Sequence, residues 1–236
     1  MTDATRPHCL VIGVGAGTGL AVVKRFVDGG YQVSMIARHG ERLQSFAEEV
    51  PHTHAYQADI DDQPGFRTVL QQITTDHGVP KVVIYNAALA TFKSYNELDT
   101  ADLERNFRVN ASGLLIAAQQ LAPHMVEAGG GALVVTGNTG SLRGVPSFIG
   151  FSPTKAAQRI LAESLARELG PQGVHVAYVV IDAMIDMPMV RKWQPDAPDD
   201  YFAKPDDIAA EIYHTAHQPR SAQSFLVQIR PFGETW

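Results

Sequence analysis

"VIGVGAGTGLAVV", residues 11–23, passes from an apolar run into four glycines and out into a second apolar pattern. The run begins at "HCLVI" and has the length and flanks of a buried strand. Leu20, Val23 and Val27 then recur at helical spacing, and Gly29–Gly30 stop the helix. Gly13, Gly17 and Gly19 therefore sit between a strand and a helix. Glycine lets the chain turn sharply, and its missing Cβ lets a diphosphate approach the backbone. The helix start then offers unpaired N–H groups to the anion. Thr18 adds a hydroxyl. Glycines alone would suit any structural turn; the strand–turn–helix context makes this a nucleotide site.

The pattern continues outward from that turn. "YQVSMIAR", "HTHAYQAD", "PKVVIYNAA", "GALVVTGN", "GVHVAYVVID" and "SFLVQIRP" read as further strands. Between them lie "ERLQSFAEEV", "QPGFRTVLQQITTDHG", a long helical region over 101–131 with a break or kink at Pro123, an Ala-rich helix opened by "GFSPTK", and "PDDIAAEIYHTAHQ". Ser152 and Pro153 suit that helix start as cap and first-turn proline. Strands that are continuous apolar runs alternating with helices predict an α/β fold: a seven-stranded parallel sheet with helices on both faces. Residues 187–204 are aperiodic and rich in Pro and Asp, and read as a loop or lid. With no linker or repeat, 1–236 reads as one domain.

Composition narrows the function. A net charge of −6 and scattered basic residues argue against a nucleic-acid or membrane surface. The single Cys9 excludes an internal disulfide framework and a Cys-rich metal site. His52 and His54 have no carboxylate or Cys at ligand spacing, so no metal site is expected. "MTDATRPH" lacks a charged-then-apolar leader, and no apolar run reaches membrane-span length, so a cytoplasmic location is expected.

The second strand ends "MIARHG". No acid stands at Ile36 or Ala37 to hold ribose hydroxyls; Arg38 follows instead, and a cation there suits a 2′-phosphate. NADP(H) is thus expected over NAD(H), with a solvated loop arginine as the plainer reading of Arg38. In "GFSPTK", Phe151 precedes Lys155 by four residues, on about the same helix face. A Tyr at that spacing would read as an acid beside a lysine, but this ring has no hydroxyl.

The GxxxGxG spacing resembles the short-chain dehydrogenase/reductase superfamily over essentially the whole chain, and looks closest to the branch with bacterial β-ketoacyl-ACP reductases. "YNAA" at 85–88 resembles the family's N-N-A-G, with Asn86 and Ala87 kept. Asp59 in "ADID" matches its adenine-side acid, Asn110 in "FRVNASG" its active-site Asn, and Lys155 its Lys. The resemblance implies a single Rossmann-type doubly wound domain. It also implies cofactor contacts from Gly13, Gly17, Thr18, Gly19, Arg38, Asp59, Ile60, Asn86, Ala87, Lys155 and Met184. The family's helices near 101–128 and 153–169 pair across dimer or tetramer interfaces, so a homodimer or homotetramer is expected.

The chemical half departs from the family. Ile12 stands where a Thr is usual. Asn138 occupies the position of the catalytic Ser and Phe151 that of the Tyr. "IDAMID" replaces the Pro-Gly…Thr segment, with Ile181, Asp182 and Asp186 at those positions. In the family the Tyr gives a proton to the substrate oxygen, the Ser holds that oxygen, the Lys holds the nicotinamide ribose, and the Asn supports a water chain. Phe cannot donate a proton. Asn138 can still donate to an oxygen, and Lys155 and Asn110 keep their types. The catalytic set to be expected is Asn110, Asn138, Phe151 and Lys155, with Asp182 or Asp186 as candidate replacement acids. The leading reading is an NADP(H)-linked oxidoreductase of atypical mechanism on a small, partly apolar carbonyl, imine or conjugated substrate. Met187, Met189, Trp193, Tyr201 and Phe202 in the lid suggest the apolar character. The alternative is an inactive cofactor-binding sensor or scaffold subunit.

Overall fold

A computed structural model describes residues 6–233; the ends of the expected 1–236 domain, residues 1–5 and 234–236, lie outside the described residues. The strands are β1 (His8–Ile12), β2 (Gln32–Ala37), β3 (Thr53–Gln57), β4 (Val82–Tyr85), β5 (Gly131–Asn138), β6 (Val174–Ile181), a short pair β7 (Met184–Ile185) and β8 (Phe202–Ala203), and β9 (Leu226–Ile229). The helices are α1 (Thr18–Asp28), α2 (Gly40–Glu49), α3 (Gln63–His77), α4 (Thr100–Phe107), α5 (Gly113–Glu127), α6 (Ser152–Leu169), α7 (Pro188–Trp193) and α8 (Pro205–Ala216).

Seven strands form one parallel sheet in the order β3-β2-β1-β4-β5-β6-β9. One face is buried by Phe66, Leu70 and Ile73 of α3, Leu114, Ala117 and Leu121 of α5, and Ala162 of α6. The other is buried by Val22, Val23 and Phe26 of α1, Leu43 and Phe46 of α2, and Ile208 and Ile212 of α8. Burial on both faces is why the strands read as unbroken apolar runs. This is the doubly wound Rossmann-type architecture. The strand order reverses between β1 and β4, and such a sheet opens a crevice outside the carboxyl ends of those two strands.

Three local expectations change. Pro123 neither breaks nor ends its helix: α5 runs through it. Its ring faces solvent while Leu121, Ala122 and Met125 are buried, so packing holds the helix and water can take the freed carbonyl. The irregularity lies upstream, at 108–112, where the turns widen to π type. Ser152 does not cap α6: Phe151 holds the cap position, and the buried Ser152 hydroxyl has no partner among the described residues. Finally, 187–204 is not all loop. It contains α7, a 3₁₀ turn at Asp199–Tyr201, and β8, which pairs with β7. Asp186 ties it together by accepting from Arg191 and Lys204, and both cations also reach Asp199.

At the opposite end of the sheet His8 is 4% exposed. Its Nδ1 donates to the Gly78 carbonyl at 2.9 Å, so its Nε2 accepts from Ser34 Oγ at 2.9 Å. Burial pulls its pKa from 6.5 down to about 4. The unfolded chain then binds the proton more readily, so this contribution is complete above pH 6.5 and is lost as the pH falls towards 4. Its full size is on the order of 3 kcal/mol. Urea unfolding between about pH 7 and pH 4.5 should show this loss in the wild type and a shallower one in His8→Gln. Identical slopes for the two chains would exclude His8 as its source.

Candidate active site

A cleft of about 640 Å³ lies at the crevice between β1 and β4. Its floor starts at the glycine turn. Gly13 has φ +95°, and a Cβ there would overlap the main chain of Ala87 at the end of β4. Only glycine allows both the backbone and the close approach. Asn86 stitches the two strands, its Nδ2 donating to the Gly13 carbonyl at 2.8 Å. Its Oδ1 accepts from Thr136 Oγ1 at 2.9 Å, and the Thr136 carbonyl accepts from Lys155 Nζ at 2.8 Å. A chain of hydrogen bonds thus runs from the glycine turn to the lysine.

Of the expected cofactor residues, Gly13, Gly17, Thr18, Gly19, Arg38, Asp59, Ile60, Asn86, Ala87 and Lys155 line this cleft. Met184 does not. Past the end of β6 the chain bends at Ala183, and its residues face the cleft alternately. Ile181, Ala183, Ile185 and Met187 line the cleft; Asp182, Met184 and Asp186 do not. The replacement-acid expectation fails for the same reason. Asp182 accepts from Thr139 Oγ1 and from Gln228 Nε2. Asp186 is held well below the usual carboxylate range, first by its hydrogen bonds from Arg191 and then by Lys204, so it keeps no proton to give.

Asn110 is also absent from the cleft wall. It is fully buried, with Nδ2 donating to the Leu89 carbonyl and to Thr154 Oγ1 and Oδ1 accepting from the Leu89 N–H. Gln158 Nε2 donates to its main-chain carbonyl at 2.6 Å. Asn110 therefore positions α6 and the segment after β4 and makes no hydrogen bond with Lys155.

At the inner end of the cleft stand Asn138, Phe151 and Lys155. The Asn138 carboxamide makes no hydrogen bond among the described residues, and its Oδ1 is buried. Phe151 packs edge-on against Phe92 and tilted on Phe148, with centroids at 5.7 and 6.4 Å. Lys155 is 2% exposed. No carboxylate pairs with it among the described residues, and burial pulls its pKa down to about 7.

At the outer end, Arg38 and Arg42 reach the cleft rim, and neither guanidinium has an ion pair or hydrogen bond among the described residues. Arg42 escaped the sequence reading because it lies beyond the strand end, in the first turn of α2. Thr136 was missed too: only the fold brings it beneath Lys155. Met187 rests its thioether against Gly17, joining the 187–204 segment to the glycine turn. Of the other apolar residues of that segment, Phe202 is buried core, whereas Met189 and Trp193 are exposed.

These residues fit a nicotinamide dinucleotide. The buried Thr18 hydroxyl, at the start of α1, has no partner among the described residues and is free to meet a diphosphate. The cleft continues from there to Asn138 and Lys155.

Comparison with known proteins agrees. The family model for short chain dehydrogenases matches residues 7–198. Sulfoacetaldehyde reductase 2 of Chromohalobacter salexigens is 26% identical over 96% of this chain and 95% of its own length. The crystal structure of a short-chain dehydrogenase from Rhodopseudomonas palustris superposes with a TM-score of 0.82 at 26% identity, covering 96% of this chain and 99% of that one. A metagenomic short-chain oxidoreductase solved in complex with NADP superposes at 0.83 with 21% identity, over 95% and 97%.

Proposed function

The chain belongs to the short chain dehydrogenase family, and on that footing we propose that it is an NADP(H)-linked oxidoreductase acting on a small, partly apolar carbonyl, imine or conjugated substrate. The observation that carries this is one continuous cleft. It has an unpartnered hydroxyl at a helix start at one end, and Asn138 beside Lys155 at the other.

A bound dihydronicotinamide supplies a hydride. This chain's residues do the rest. The glycine turn and Thr18 hold the diphosphate, and Asp59 and Ile60 frame the adenine. Lys155 has two N–H bonds beyond the one to Thr136 with which to meet ribose hydroxyls. The free Asn138 carboxamide is placed to donate to a substrate oxygen. Phe151, backed by Phe92 and Phe148, offers an apolar aromatic wall. The proposal includes self-association through α5 and α6, where Leu115 and Ile160 stay exposed.

Arg38 and Arg42 support the choice of NADP(H), as two unengaged cations beside the end of β2. Charge-assisted hydrogen bonds are each worth roughly 1.5–3 kcal/mol. The double variant Arg38→Ala/Arg42→Ala should therefore lose about a hundred- to ten-thousandfold in NADPH affinity while NADH affinity holds, as followed by nicotinamide fluorescence. Equal NADPH and NADH binding by the wild type would sink the preference. A stereospecific deuteride-transfer screen over ketones, imines and enones tests turnover. Cofactor binding with no transfer to any class would favour the sensor or scaffold reading.

A further inference from the structure

We propose that the Lys155 ammonium hands the proton to the substrate oxygen in this chain. The proposal rests on the oxidoreductase reading above and deepens it at the same site.

The titratable side chains lining the cleft are Arg38, His39, Arg42, Asp59 and Lys155. The first four come from the segments after β2 and β3, at the outer end. Around Asn86, Thr136, Asn138, Phe151 and Ile181, Lys155 alone among the described residues can carry a proton to give. Asp182 and Asp186 face away, and Asp186 is pinned by two cations. Phe151 holds the cap of α6 with a ring that cannot donate.

The setting makes Lys155 an unusual lysine. It lies in the first turn of an 18-residue helix, whose positive end disfavours a cation. The titratable and charged groups around it are few. Tyr178 on β6 donates to the Lys155 carbonyl and to Gln158, and Tyr85 on β4 donates to the Val109 carbonyl; burial raises both phenols' pKa values and keeps them neutral. Arg159, one turn along α6, is engaged by the Ser141 carbonyl and Glu163. No carboxylate among the described residues therefore offsets the desolvation of the amine, and its pKa of about 7 suits a group that must both give and regain a proton near neutrality. One N–H is spent on Thr136, and two remain for the cleft.

The step balances. In reduction the hydride forms a C–H bond at the substrate carbon, and the carbonyl π pair moves to oxygen. One Nζ–H bond of Lys155 breaks as the O–H bond forms, while Asn138 steadies the oxygen. Lys155 is left as a neutral amine and takes its next proton from water entering the open cleft. Oxidation runs the same path backwards, with the neutral amine as base.

Two measurements on the full chain test this. The chain has six lysines. With ¹³C-labelled lysine, one Cε resonance should titrate with a midpoint near 7 in the cofactor-free protein, and it should be missing in Lys155→Met. A midpoint for Lys155 above about 9.5 would overturn the proposal. Second, the ketone-reduction rate should fall as pH rises through that midpoint. Lys155→Arg keeps the cation but yields no proton in this range. It should lose about a hundred- to ten-thousandfold in deuteride transfer and lose the limb near pH 7, with NADPH bound within about tenfold of wild type. An unchanged rate with the same limb in Lys155→Arg would overturn the assignment, as would cofactor binding by the wild type without transfer at any pH. Absence of NADPH binding would instead sink the oxidoreductase reading, while the lysine titration would still report on the group itself.

Discussion

Phe151→Tyr is expected to raise ketone reduction by about a hundredfold. A positioned general acid typically contributes about 10²–10⁴-fold, and the lower end applies because Lys155 already supplies a proton. The new hydroxyl would stand on a ring that lines the cleft, four residues before Lys155 and beside the unpartnered carboxamide of Asn138. The neighbouring ammonium would also favour the ionised phenol and draw the hydroxyl pKa down. The pH limb near 7 should therefore move along with the rate. Initial-rate measurements on one ketone at several pH values read both changes. A rate and limb that stay put would mean that the ring turns its para position into Phe92 and away from the substrate.

Lys155→Met should make the cofactor-free protein more stable by about 2–3 kcal/mol near pH 7. The lysine's pKa falls from 10.5 in the unfolded chain to about 7 in the fold. The fold therefore resists the proton that the unfolded chain holds. This penalty is absent above about pH 10.5 and builds as the pH falls towards 7, reaching on the order of 4–5 kcal/mol. Methionine fills a similar volume without the charge, and the Thr136 carbonyl it leaves without that partner takes back roughly 1–3 kcal/mol. For a domain of this size the net gain amounts to a melting temperature about 5–10 °C higher. The gain should shrink when the melts are repeated near pH 10. A lower melting temperature at pH 7 would mean that the ammonium finds compensation in the fold. A more stable protein that has lost its chemistry is the usual signature of a residue strained for function.

How far the site was legible depends on how far each signal reaches along the chain. The glycine turn was readable because its cause is local: Gly13 needs a backbone that only glycine adopts easily, next to an apolar run and a helix start. Arg38 was readable as the residue closing β2, and Arg42 was not, because only the path of α2 returns it to the same rim. Met184, Asp182 and Asp186 were misplaced for one shared reason. Their positions matched a family segment by count, but the residues of this segment face the cleft alternately, and these three are out of phase with it. Asn110 was expected among the catalytic residues, but the fold buries it outside the cleft wall and its bonds go to Leu89 and Thr154. No spacing in the sequence reports a partner that lies 21 or 44 positions away.

The sequence by itself determined the alternation of strand and helix, the parallel sheet and the nucleotide turn. Each follows from periodicity or from the chemistry of one residue at one place. Only the tertiary structure decided which groups share the inner cleft. Asn86, Thr136 and Lys155 meet there because β4, β5 and α6 converge at the reversal of strand order. The same convergence shields Lys155 from water without giving it an acid. A lysine's charge state is set by its surroundings, and those surroundings exist only in the fold.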